Sequence, residues 1–385
     1  MKKIPFVLLI VINLGVAAQN VGIGTNSPEA SAKLDIQSTN AGVLLPRMNR
    51  IQRDAIPSPA TGLLIFNTDN NALEIWMGSA WLSFTSNGIL NNGLPVGPTC
   101  TGTWSAKADL PGTARTGGVG FAIGNKGYLA TGNDGLYRKE TWKYDPVTNT
   151  WAQKADFPGA GRAGAVGFSI AGKGYIGTGY NGTVYLGDFY EYDPSLNSWA
   201  PKAAFPGTGR SDAIGFGTQT KGYLGLGYDG ADKFDFYEFD PGGNSWIIRA
   251  AFPGPGRSGA TSFAYDNKGF IGLGQSAFGA FRNDFWQYDP AGNSWLQKTN
   301  FGGVARSLAT GFVLGTKAYI GTGTNGTRQK DFWEYDFITN LWTQRSDFGG
   351  TARSGSISFA IGNKAWVATG QDGGGNKKDL WEYCQ

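Results

Sequence analysis

Large side chains alternate with polar ones in a short pattern that recurs along most of the chain. Trp142 and Tyr144 flank Lys143, Tyr190 and Tyr192 flank Glu191, and the same order returns at Tyr237/Phe239, Trp286/Tyr288, Trp333/Tyr335 and Trp381/Tyr383. A period of two built from β-formers predicts a strand. Aligned on this strand, each copy shows four strand-length pieces, which in the second copy cover residues 164–171, 174–179, 188–193 and 199–204. Turn signals separate them, such as Asn125-Lys126-Gly127 and Asp193-Pro194, where Asn, Gly and Pro pre-organise tight reversals. No segment carries sustained helical spacing.

The copies keep strict time. Trp104, Trp151, Trp199, Trp246, Trp295 and Trp342 fall 47 to 49 residues apart, and Arg115, Arg162, Arg210, Arg257, Arg306 and Arg353 keep the same interval. A unit this short cannot bury its own apolar faces, so the copies must pack on one another. Four short antiparallel strands repeated six times predict an all-β fold, a six-bladed β-propeller of four-stranded blades. A solenoid would instead need polar end caps, and the ends here are not caps. The first copy begins with only a Trp strand, residues 103–109, while the last has three strands and stops at Gln385. Together these fragments make one blade, so the N-terminal strand is expected to close the ring and remove the exposed edges.

The two cysteines sit at this seam. Cys384 occupies the place of the Asp that ends the third strand elsewhere, and Cys100 lies four residues before Trp104 in the equivalent turn. A Cys100–Cys384 disulfide is therefore expected, which on chain-entropy grounds would stabilise the ring by up to about 5 kcal/mol.

The run Lys173-Gly174-Tyr175-Ile176-Gly177-Thr178-Gly179, followed by Phe189-Tyr190-Glu191-Tyr192-Asp193-Pro194 and Trp199, resembles the kelch repeat with its glycine pair, Tyr-Asp turn and Trp. The resemblance covers residues 101–385 and implies a six-bladed kelch propeller. It departs in having Gly-Thr-Gly or Gly-Leu-Gly where many kelch repeats have adjacent glycines. Residues 19–85 differ. The phrases Val21-Gly22-Ile23-Gly24-Thr25, Leu34-Asp35-Ile36, Leu44-Leu45-Pro46-Arg47-Met48 and Gly62-Leu63-Leu64-Ile65-Phe66-Asn67-Thr68 resemble an N-terminal segment found on bacterial surface and fibre-like proteins of the Bacteroidetes type, which implies a small β-rich display or assembly module and oligomerisation through it. A hairpin is expected at 73–77 and 81–84, and residues 86–100, rich in Gly, Asn and Pro, form the linker.

Composition adds location. Lys2, Lys3, an apolar run from Ile4 to Val16 and then Ala17-Ala18 have the order of a secretory signal, residues 1–18, too short for a lasting membrane span. A secreted, periplasmic or cell-surface location is expected, where a disulfide persists. Removing Lys2 and Lys3 takes the net charge from +4 to +2. With acids spaced as regularly as bases, nucleic acid is not the expected partner.

The absence of histidine excludes a Ser/His/Asp triad, histidine-ligated zinc and the copper site of kelch-like galactose oxidases. No catalytic residue, metal or cofactor is assigned: the Gly-rich pieces precede strands rather than helices, and Asn133-Asp134-Gly135 and Gln371-Asp372-Gly373 read as turns rather than calcium loops.

The six repeated arginines stand just before first strands and so share one face around the channel mouth. They are candidate contacts for an acidic ligand. The alternative is pairing with Glu140, Asp188, Asp235, Asp284, Asp331 and Asp379, which open the third strands on the same face, one strand away. Lys126, Lys173, Lys221, Lys268, Lys317 and Lys364 mark the opposite face, beside turn aspartates. The loops between second and third strands differ in every copy, and they share the arginine face. Tyr137, Tyr180, Tyr185, Tyr228 and Phe278 there, with Arg282, are candidate contacts for a glycan or protein partner. The expected function is binding. Similarity to bacterial six-bladed kelch sialic-acid epimerases implies an alternative, a sugar epimerase or mutarotase, and a structural surface component is a third.

Overall fold

A computed structural model describes residues 21–27, 31–69, 72–78, 81–84 and 102–385. Of Phe84 and Phe278 it describes the backbone alone. The expected signal peptide, the linker and Cys100 lie outside the described residues. The chain divides into two compact units, Met1–Gly97 and Pro98–Gln385.

In the first unit, Val21–Ile23 pairs in parallel with Leu34–Ile36. A second sheet orders Arg47–Met48, Leu64–Asn67, Ala72–Trp76 and Trp81–Phe84; the last two form the expected hairpin. The short helix Arg50–Asp54 was not expected. It is started by a capping box in which Asn49 and Gln52 satisfy each other's backbone N–H groups, a local signal that the search for long helical periods passes over. A buried network, Arg53 and Asn67 on Glu74, fixes the helix to the sheet.

The second unit is a six-bladed β-propeller. Its innermost strands are Val119–Ile123, Val166–Ile170, Ile214–Gly217, Thr261–Tyr265, Thr310–Leu314 and Ile357–Ile361. Each touches the next, and the last touches the first, so the ring is closed. In the second blade the remaining strands are Lys173–Gly177, Phe189–Asp193 and Ser198–Lys202, all antiparallel. The four strands of this blade are one to three residues shorter than the sequence suggested, and Gly164, Ala171, Thr178 and Gly179 adopt positive φ at the ends of the first two. In the closing blade Thr103–Lys107 pairs with Leu380–Cys384, Thr103 opposite Cys384, so the chain's first propeller strand completes its last blade.

Strand alternation explains the packing. On the innermost strands Phe121, Phe168, Phe216, Phe263, Phe312 and Phe359 are buried between blades, while Gly, Ala, Ser and a few Thr, Val and Ile line an axial cavity of about 210 Å³. The phenylalanines also explain the small residue that follows the lysine at the start of each second strand. A Cβ on Gly127 would meet the Phe359 ring at 2.2 Å, and one on Gly174 would meet Phe121 at 2.4 Å.

Blades are also tied at their rims. The Trp151 indole donates to the Ala108 carbonyl of the closing blade at 2.9 Å, and Trp199, Trp246, Trp295 and Trp342 repeat this bond one blade on. Asn149, Asn197, Asn244, Asn293 and Asn340 each accept a backbone N–H from the preceding blade. All five sit at positive φ, a conformation Asn tolerates. In the closing blade Gly102 takes that place, so the Asn tie is missing at the seam where the cysteines were expected to pair.

Candidate ligand-binding face

The six repeated arginines lie under one face of the propeller, and all are buried, at 0% exposure. Arg162 donates to Asp188 through both Nη atoms at 2.5 and 2.7 Å, and Arg257, Arg306 and Arg353 hold Asp284, Asp331 and Asp379 in the same way. Arg210 does so with Asp235. Arg115 holds Glu140 through one contact of 2.9 Å. The remaining donors go to backbone carbonyls, as Arg162 does to Thr178 and Ala160. Rings of Phe157, Phe205, Phe252, Phe301 and Phe348 lie against five of the guanidiniums at 4.6–5.1 Å. With no exposed surface and their donors engaged, these six arginines serve the pairing role rather than ligand contact. For Asp284, Asp331 and Asp379, burial raises the carboxyl pKa, but hydrogen bonds from the arginines and from Trp286, Trp333 and Trp381 outweigh it and the net shift is downward.

Two residues beyond each arginine the backbone turns left-handed. Gly117, Gly164, Asp212, Gly259, Leu308 and Gly355 all have φ between 50° and 66°. Each donates its N–H to the carbonyl of the same position in the preceding blade, at 2.8–3.1 Å, from Gly117 on Gly355 around to Gly355 on Leu308. Six backbone hydrogen bonds thus run head to tail in a circle around the channel mouth. Four positions are glycine, as this conformation favours. Asp212 and Leu308 are held there at a conformational cost, of the kind that collects at functional sites.

Above the circle each variable loop crosses back in a short ladder: Thr116–Asn133–Tyr137, Ala163–Tyr180–Tyr185, Ser211–Tyr228–Asp232, Ser258–Gln275–Phe281, Ser307–Thr324–Arg328 and Ser354–Gln371–Asn376. The inner position carries a hydroxyl in five of the six blades. The middle and outer positions divide the face. In the first three blades Tyr137, Tyr180, Tyr185 and Tyr228 form an unbroken row, with successive ring centroids 6.0, 4.9 and 6.0 Å apart. In the last three blades the same positions carry Gln275, Phe281, Thr324, Arg328, Gln371 and Asn376, Phe281 being the one aromatic among them.

The four candidate tyrosines are therefore brought together. Phe278 falls in a single 3-10 turn, Ala277–Gly279, and its side chain lies outside the described residues. Arg282 donates to Ser276 Oγ at 2.8 Å.

Sequence reading missed Asp212. Its carboxyl leans over Gly164, where a Cβ would meet Asp212 Oδ1 at 2.7 Å, and it accepts a hydrogen bond from the Ser211 hydroxyl at 3.1 Å. Burial raises its pKa, and the Ser211 bond offsets this only in part. Asp232 is raised for the same reason, with Ser258 opposing. Burial also raises the Tyr185 phenol, helped by the neighbouring Tyr228, Tyr180, Asp212 and Asp229. The one signal in the sequence was Asp212 standing where most copies have Gly.

On the opposite face four of the six lysines pair as the spacing suggested. Lys126 holds Asp145 at 2.8 Å and Lys221 holds Asp240 at 2.9 Å, while Lys173 and Lys317 hold Asp193 and Asp336. Lys364 turns to Glu382, because Cys384 replaces the Asp.

A family model described as "Phage tail like trimerisation region" matches residues 22–96. No curated protein matches the sequence. Among solved structures, one titled "Structure of YjhT" superposes with a TM-score of 0.61 at 18% identity, covering 71% of this chain and 95% of that one. At that identity the likeness speaks for the fold alone, and it agrees with the closed ring of six blades.

Proposed function

We propose that this chain is an exported binding protein of the kelch type, whose arginine face recognises a carbohydrate. The tyrosine row carries this reading. Four half-exposed aromatic rings in contact offer apolar surface for sugar rings, and the five hydroxyls and the amides beside them supply hydrogen bonds for hydroxyl groups. A protein partner is the second reading of the same face, whose loops also expose Leu136, Val184 and Phe234. The N-terminal unit would gather chains into trimers, as its match to a trimerisation region suggests, and multiply weak contacts by avidity. Its exposed Val21, Ile23, Leu34, Val43, Leu44 and Ile51 are suited to burial between copies. The Cys100–Cys384 bridge would secure the seam where the Asn tie is missing. A glycan array probed with wild type and Tyr180→Ala tests the carbohydrate reading: binding that the substitution abolishes supports it, and no binding to any sugar refutes it.

One observation favours the epimerase or mutarotase reading, the enclosed carboxyl of Asp212 at the channel mouth, an acid placed to exchange a proton with a bound sugar. The paired arginine ring speaks against it. Proton NMR of a bound reducing sugar tests it through the rate of anomeric exchange.

A further inference from the structure

The propeller contains eleven arginines. Nine hold a carboxylate: the six of the ring, and Arg138, Arg249 and Arg345 with Asp134, Glu238 and Glu334. Among the described residues the two exceptions are Arg282 and Arg328, on neighbouring blades of the arginine face. The cause lies in the loops. Arg138, Lys233 and Lys377 each find an acid of their own loop, Asp134, Asp229 and Asp372. In the fourth blade that acid is replaced by Ser276, so Arg282 donates to a neutral hydroxyl. In the fifth blade the ladder's outer position is Arg328, whose Nη2 donates to the Gln371 amide at 2.8 Å, and whose Nε is buried with no acceptor. A buried guanidinium N–H without an acceptor is costly, so the side chain gains by swinging out to an anion that supplies one.

The two are linked through backbone. The Arg306 N–H donates to the Arg282 carbonyl at 3.2 Å, and the next residue, Ser307, pairs with Thr324, which pairs with Arg328. Two arginines without carboxylates thus stand on backbone segments joined through Ser307 and Thr324, on the half of the face opposite the tyrosines.

Resting on the carbohydrate reading above, we propose that Arg282 and Arg328, with Ser276, Ser307, Thr324 and Gln371, form an anion subsite, so that the ligand is an acidic oligosaccharide bearing carboxylate or sulfate groups. Its sugar rings lie on Tyr137, Tyr180, Tyr185 and Tyr228, and one anionic group reaches the guanidinium pair. The three ring-to-ring steps of the row suit several linked sugars better than a single one.

The test is calorimetric titration of the full mature protein with a tetragalacturonate, a sulfated galactan tetrasaccharide and a neutral galactose tetrasaccharide. At low salt at least one anionic ligand should bind tenfold or more tighter than the neutral one, the preferred arm naming the group. That margin should shrink as salt rises, and Arg282→Gln with Arg328→Gln should erase it. Tyr180→Ala should weaken charged and neutral ligands alike. Equal affinity for all three, or a margin that survives the double substitution, overturns the subsite while leaving the carbohydrate reading in place. Should the double variant melt early, the salt dependence of the wild-type margin decides in its stead. No binding of any of the three refutes the reading on which the subsite rests.

Discussion

Arg162 and Asp188 form a two-point contact in which the cation is wholly buried and the acid half-exposed, and it fastens a loop of the second blade to the start of that blade's third strand. The same contact recurs around the ring. Removing one partner of a buried pair strands the other, which typically costs about 3–5 kcal/mol. Arg257→Ala, which also loses the contact with Phe252, should therefore lower stability by an amount in that range, read from denaturant unfolding, whereas Lys221→Ala on the opposite face should cost about 0–1 kcal/mol.

The ring pairs set the acid limit of the fold. Asp284, Asp331 and Asp379 titrate below their ordinary value in the folded protein. Their stabilisation is complete above the unfolded carboxyl pKa and is lost as pH falls through the lowered folded values. Melting temperature should be flat near neutrality and drop steeply below about pH 4, and Asp331→Asn should flatten that drop while lowering the plateau.

Asp212 behaves in the opposite sense. Its folded pKa is raised, so the protonated form is favoured in the fold, and its contribution falls as pH climbs from the unfolded value to the folded one. Asp212→Asn keeps a residue that tolerates positive φ and removes the charge. The variant should match wild type at low pH and melt higher at neutral pH, a gap read by calorimetry across that window.

Much of the architecture was readable before any coordinates, because repetition turns weak local signals into strong ones. The strands and the closing Trp104 strand followed from positions that keep one interval, and the same interval offered the pairing of Arg162 with Asp188 as one of two readings. What escaped were features that depend on exceptions. The circle of backbone hydrogen bonds rests on left-handed residues, and Asp212 and Leu308 hide it because neither is glycine. The tyrosine row joins residues from three different loops, so spacing named its members but not their contact. The uncompensated charge of Arg282 becomes visible only when Ser276 is seen in the place of an acid.

The seam offers a further check. With Gly102 where other blades have Asn, the closing blade lacks a tie of about 0.5–1.5 kcal/mol, and the Trp104 indole is buried without an acceptor. Cys100→Ser with Cys384→Ser should lower the melting temperature by more than any single rim Asn→Ala substitution. Equal melting with and without reductant would contradict the proposed bridge.

Assembly is tested by light scattering. The mature chain should have three times its sequence mass, and Val21→Asp with Leu34→Asp should reduce it toward the monomer while leaving the propeller's melting transition in place.

The most direct test of the proposed binding face is a crystal structure of the protein with the strongest ligand from the array. Sugar density lying on Tyr180 and Tyr185 beside the Asp212 mouth is the predicted result. Density on the lysine face, or a ligand that leaves all four tyrosines untouched, would contradict the account.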